Sequence, residues 1–189
     1  EGKVEIKGSV RSKRLNLIEL FPNKLKNLSK SRKKTFLSDD NQWSLEWLKE
    51  INLDFALKAE QLITRKFETK NITTDIIIKD GDFKLEADSG EFSGGRFNMN
   101  IALDTKNTPV DARFDFSITG LDLDQVPELR DSKLPLQGEI DVDIFLIGEG
   151  DSLKKVLGKS SGRVFISASD AYIPASSLDL LTRSISAQI

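Results

Sequence analysis

The chain has 189 residues, with 28 Lys+Arg against 30 Asp+Glu, a net charge of −2, and neither Cys nor His. That composition excludes a Ser-His-Asp triad, a thiol nucleophile, a disulfide and a zinc site with nitrogen or sulfur ligands. Near-neutral charge argues against nucleic acid as a partner, and the longest apolar run, Ile144-Phe145-Leu146-Ile147, is far too short to span a bilayer.

Period-two alternation, the mark of strands with one apolar and one polar face, runs along most of the chain. Val4, Ile6 and Val10 alternate with Lys3, Glu5 and Lys7. The opening at Glu1, already inside this pattern, reads as a piece of a longer protein. Asn23 to Ser38 then carries Lys24, Lys26, Lys30, Arg32, Lys33 and Lys34 with few apolar residues, which reads as a solvated basic linker.

Alternation resumes at Ile51, Leu53, Phe55, Leu57 and Ala59, and again at Ile72, Ile76 and Ile78. The Asp80-Gly81 pair signals a hairpin turn into Phe83, Leu85 and Ala87. Gly94-Gly95 lies between strand patterns and not before a helix, so it reads as a bulge or kink and not as a phosphate loop. Phe97, Met99, Ile101 and Leu103 follow, then Val110, Ala112, Phe114, Phe116 and Ile118, then Ile140, Val142, Ile144 and Leu146, and last Val164, Ile166 and Ala168. Short turns between these runs predict antiparallel neighbours.

Two helices are expected. Asp151 to Gly158 has Asp151 or Ser152 as its cap, and Ser176 to Ile189 has Leu178, Leu181, Ile185 and Ile189 on one face, suited to capping the end of the sheet. Leu15-Asn16-Leu17 before Phe21-Pro22 is echoed by Leu121-Asp122-Leu123 before Val126-Pro127, a hint of a repeated unit. The carboxylates Asp111, Asp115, Asp141 and Asp143 fall on the polar parity, where solvated surface explains them better than catalysis. Asp122 and Asp124 lack the remaining ligands of a calcium loop.

The ordered series Trp47 to Leu62, Lys79-Asp80-Gly81, Glu91 to Phe97, Gly120 to Leu123, Gly148 to Leu153 and Ser161 to Val164 resembles the C-terminal region of AsmA-like proteins, over about Phe36 to Ile189. The resemblance implies a repeating β-groove related to the TamB and YhdP proteins and to eukaryotic bridge-like lipid-transfer proteins. It implies a periplasmic body, anchored in the bacterial inner membrane by a segment outside this piece. The implied role is carrying phospholipid between inner and outer membranes or otherwise supporting outer-membrane assembly.

The expected fold is therefore mainly β: a curved antiparallel β-sheet forming a groove, with two short helices, the C-terminal one capping. Residues 1–22 would end a preceding groove repeat, 23–46 form the basic linker, and 47–189 the AsmA-like domain. The apolar parity assigns the lipid-binding lining to Leu53, Phe55, Leu57, Ile76, Ile78, Phe83, Leu85, Phe97, Met99, Ile101, Phe114, Phe116, Ile118, Val142, Ile144, Val164 and Ile166. Partners would be phospholipid acyl chains and membrane or envelope proteins at the groove ends, with no cofactor, metal or catalysis. The competing expectation is a structural or interaction domain whose face is sealed and whose open edge pairs with outer-membrane proteins by β-augmentation.

Overall fold

The computed structural model describes residues 2–20, 43, 45–64, 67–130 and 136–169. The basic segment 23–38 and the expected helix at 176–189 lie outside the described residues. Eight strands form one sheet in sequence order: β1 (Val4–Asn16), β2 (Ile51–Ile63), β3 (Glu68–Lys79), β4 (Asp82–Phe92), β5 (Gly95–Asp104), β6 (Val110–Asp122), β7 (Glu139–Gly150) and β8 (Ser161–Ala168). Every run expected to be a strand is one.

Six of the seven seams are antiparallel, as short turns require. The first departs from that expectation: β1 and β2 are parallel, with Val4 beside Ile51 and Leu15 beside Leu62. Residues 17–50 intervene, long enough to return the chain to the end where β1 began.

Turn chemistry sets the hairpins. Asp80 and Gly81 both have positive φ (54° and 90°), the backbone of a two-residue primed turn. Ser93 and Gly94 (45° and 81°) do the same between β4 and β5. This corrects the expectation of a bulge at Gly94-Gly95: those glycines close a hairpin and begin a strand. Gly95 is still needed for packing, because a Cβ there would come within 2.9 Å of Ile118 and of the Leu121 backbone.

The bulges lie elsewhere. Register shifts occur near Asn71 in β3 (φ 50°), between Ala87 and Gly90 in β4, and between Ile118 and Leu121 in β6. They fall toward one end of the strands and bend the sheet there. Each also resets side-chain parity. In β4 the inward set changes from Phe83, Leu85 and Ala87 to Gly90 and Phe92, and in β6 from Ile118 to Leu121. The bent end is therefore a sealed core of Ala59, Leu62, Ile72, Ala87, Phe97 and Ile118, with Leu15, Leu17, Phe92 and Leu121 packed on it.

Short helical segments complete the fold. The expected helix at 151–158 is α3 (Leu153–Gly158), with the Ser152 hydroxyl accepting from Lys155 N–H at its start. Two single-turn helices, α1 (Leu17–Leu20) and α2 (Pro127–Arg130), and two 3-10 turns, Glu46–Lys49 and Leu123–Gln125, were not expected. The Leu-Asx-Leu echo acquires a structural meaning here. Asn16 Oδ1 accepts from Ile18 N–H at the end of β1, and Asp122 Oδ1 accepts from Asp124 N–H at the end of β6, both at 3.0 Å. In each copy the Asx side chain ends a strand and starts a helical turn.

Candidate functional site

Cross-strand pairing arranges the apolar parity into rows that run across the sheet. The first row passes from Ile6 through Leu53, Ile78 and Phe83 to Leu103, Ala112 and Gly148. The second joins Phe55, Ile76, Leu85, Ile101 and Phe114 to Leu146. The third takes Leu57, Thr74, Ala87, Met99, Phe116, Ile144 and Val164. The fourth, beyond the β4 bulge, holds Gly90, Phe97, Ile118, Val142 and Ile166. All seventeen residues expected in the lining stand on this one face.

They are not equivalent. Ile78, Phe97 and Ile118 are buried, whereas Val164 and Ile166 on the edge strand are 59% and 60% exposed. The other twelve are partly buried. Along the second row, and at Leu57, Met99, Phe116 and Ile144 of the third, the face is thus an apolar lane partly open to solvent, whereas Thr74 and Ala87 are buried. Thr74 is the one polar residue in these rows between β2 and β8, and its hydroxyl donates to Glu86 O at 2.9 Å. It asks nothing of a ligand. At about 4.8 Å per strand, the lane from β2 to β8 runs about 29 Å, roughly twice the hydrocarbon depth of one membrane leaflet.

Aromatic rings make the floor continuous. Phe114 stacks on Phe116 (centroids 6.2 Å apart, interplanar angle 15°), and Phe116 on Phe97 (6.3 Å, 30°). Gly90 stands opposite Phe97, and a Cβ there would come within 2.4 Å of the Phe97 ring. The ring occupies the space that glycine leaves.

The core seals one side of the lane, and two covering elements form a lip on the other. The first is the Glu46–Lys49 turn, which lies against β2, β3 and β4 with Leu48 buried. The second is α3, placed on the inner face of β7. Cβ atoms on Gly148 and Gly150 would lie 2.6 and 2.7 Å from the Val156 backbone. Trp43 N–H donates to Asp151 O at 2.7 Å, joining the segment before the turn to the segment before α3. This lip was missed from sequence, although two glycines where Ile144 and Leu146 predict apolar side chains signal that backbone packs there.

The lip and the adjoining strand ends carry paired charges: Lys49 with Glu46 at 3.2 Å, Lys106 with Asp82 at 2.7 Å, Lys155 with Asp151 at 2.8 Å and Lys159 with Glu149 at 3.0 Å. Lys3 pairs with Asp80 across the start of the sheet. The hydrogen bond from Lys3 holds the Asp80 carboxyl below the usual aspartate value, and that to Asp82 raises Lys106 above the usual lysine value.

The outer face is mainly charged and polar, with Ile77, Ile147 and Phe165 exposed among those groups. Asp141 accepts from Gly120 N–H at 2.8 Å, Asp111 from Asn107 at 2.9 Å, and Asp143 and Asp115 pair with Arg163 and Arg113 at 3.6 Å each. Those arginines lie over the Phe145 ring, at 5.5 and 4.9 Å. Among the described residues there is no cluster of acidic groups arranged to hold a metal ion, and no helix is long and apolar enough to cross a membrane.

Comparison with known proteins shows the family of the chain. The curated relative AsmA family protein YhjG of Escherichia coli (strain K12) is 27% identical over 112 residues, covering 59% of this chain. The aligned stretch spans 16% of that relative's length. No solved structure matches the chain. The AsmA family profile matches residues 4–188, reaching back over the first strand as well as the region from Phe36 onward. With nearly its whole length matched, the chain belongs to the AsmA family, and that membership associates it with the cell envelope.

Proposed function

We propose that this segment shields phospholipid acyl chains on its apolar lane. It would serve as the periplasmic part of a protein anchored in the inner membrane, supporting phospholipid movement to the outer membrane or outer-membrane assembly. The observation that carries the reading is the lane itself: rows of Leu, Ile, Val and Phe cross the sheet with no unsatisfied polar group and stay partly open to solvent. Each methylene laid on such a surface contributes about 0.8 kcal/mol, without demanding a hydrogen bond. Movement along it makes and breaks no bond, so the reading calls for no cofactor.

The test is the lipid content of the chain purified from bacterial membranes, measured by native mass spectrometry. Phe114→Asp places a carboxylate at the middle of the lane and should lower bound phospholipid by about tenfold, equivalent to about 1.4 kcal/mol, while the fold survives. Unchanged lipid in a folded variant, or no lipid on the parent chain, refutes the reading.

A second reading rests on the edge strand. Val164, Phe165 and Ile166 in β8 are 59%, 63% and 60% exposed, and an open edge with such side chains accepts a strand from a partner. A lipid-free chain recovered with a bound outer-membrane protein would favour it.

A further inference from the structure

The paired charges bear on which lipid the lane carries, an inference that rests on the acyl-chain reading above. On the side of the bulges the lane ends in the sealed core, with Leu62, Phe97 and Ile118 buried. The side opposite that core, bounded by the lip, is where charged side chains border the lane. The charges waiting there come as opposites side by side: Lys49 with Glu46 on the 3-10 turn and Lys155 with Asp151 at the start of α3. Each of these side chains is at least one third exposed.

We propose that this lip selects zwitterionic phospholipid head groups, those carrying a phosphate and an ammonium, over head groups with a net negative charge. Exposed ion pairs contribute little to stability, so opening one costs little. A zwitterion gives both partners back: its phosphate takes the lysine and its ammonium the carboxylate. An anionic head can satisfy only the lysine, and it leaves an acidic side chain facing its own phosphate. A site selecting anionic lipid would instead present cations without carboxylates beside them, as Arg-rich and Lys-rich lipid sites do.

The experiment equilibrates the full chain with vesicles of equal parts phosphatidylethanolamine and phosphatidylglycerol, then counts each lipid on the reisolated protein. The parent chain should take phosphatidylethanolamine over phosphatidylglycerol by about threefold, the scale of one exposed ion pair. Glu46→Gln with Asp151→Asn removes the carboxylates paired with Lys49 and Lys155 and should reverse the preference at equal total lipid. Glu46→Lys with Lys49→Glu keeps that pair with its sign exchanged and should retain the parent preference. Uptake in the supplied ratio by both the parent and the amide variant overturns the head-group proposal while leaving the acyl-chain reading standing. Uptake of neither lipid by a folded parent chain overturns both.

Discussion

Phe97 and Phe114 are the same residue type on adjacent strands of one face, yet they should respond differently to truncation. Phe97 is 8% exposed, stacks on Phe116, and fills the space opposite Gly90. Removing it leaves a cavity in the sealed core, so Phe97→Ala should cost about 3–5 kcal/mol. Phe114 is only partly buried and stacks on Phe116 alone. Complete burial of a phenylalanine contributes about 1.5–3 kcal/mol, so partial burial gives about half of that. With about 0.5–1.5 kcal/mol for the stack, Phe114→Ala should cost about 1.5–3 kcal/mol. Urea unfolding followed by circular dichroism on lipid-free protein measures both values. The Phe97 variant should unfold at the lower urea concentration, by about 1 M for a typical slope. Equal losses, or a larger loss at Phe114, would show that the lane is packed core and that its division into sealed and open parts is wrong.

Two further outcomes follow from the covering elements and the charges. Gly148→Leu drives a side chain into the Val156 carbonyl, 2.6 Å from the Cβ position, so α3 must lift; protection of the Val156 and Lys159 amides in hydrogen exchange should fall, while protection in β3 to β5 stays unchanged. Loss of protection throughout the sheet would instead make α3 part of the global core. Asp80, whose value is depressed by the hydrogen bond from Lys3, should show an NMR titration midpoint below that of an ordinary aspartate. A depressed folded-state value means the tie contributes fully above the unfolded aspartate value and is lost as pH falls through the folded one. The junction of β1 with the β3–β4 turn should therefore loosen only below about pH 4, and Lys3→Ala should return the midpoint to the ordinary range. An unshifted midpoint in the parent chain refutes the pairing.

The eight strands were legible because side-chain alternation is a local property, visible in Val110 to Ile118 without knowledge of any partner. The Asp80-Gly81 turn was legible for the same reason. The placement of Phe97 and Ile118 was half legible: parity put them on the correct face, but burial depends on bulges that bend distant strands together, and a bulge is one unpaired residue with a weak signature. The Gly94-Gly95 pair misled because glycine supports positive φ in a turn as readily as in a bulge, and Ser93 took the left-handed partner position. The parallel first seam depends on where residues 17–50 bring the chain back, which no local pattern encodes. The lip is a tertiary device, marked only by Gly148 and Gly150 on an otherwise apolar parity.

Site-specific photocrosslinking tests the central claim most directly. A benzophenone amino acid is placed in the lane at Phe114 or Ile144, and on the opposite face at Ile77 or Phe145, and cells are illuminated before purification. Phospholipid adducts at Phe114 and Ile144, and none at Ile77 and Phe145, are the predicted result. Adducts of equal yield on both faces, or protein adducts alone at the lane positions, would contradict it.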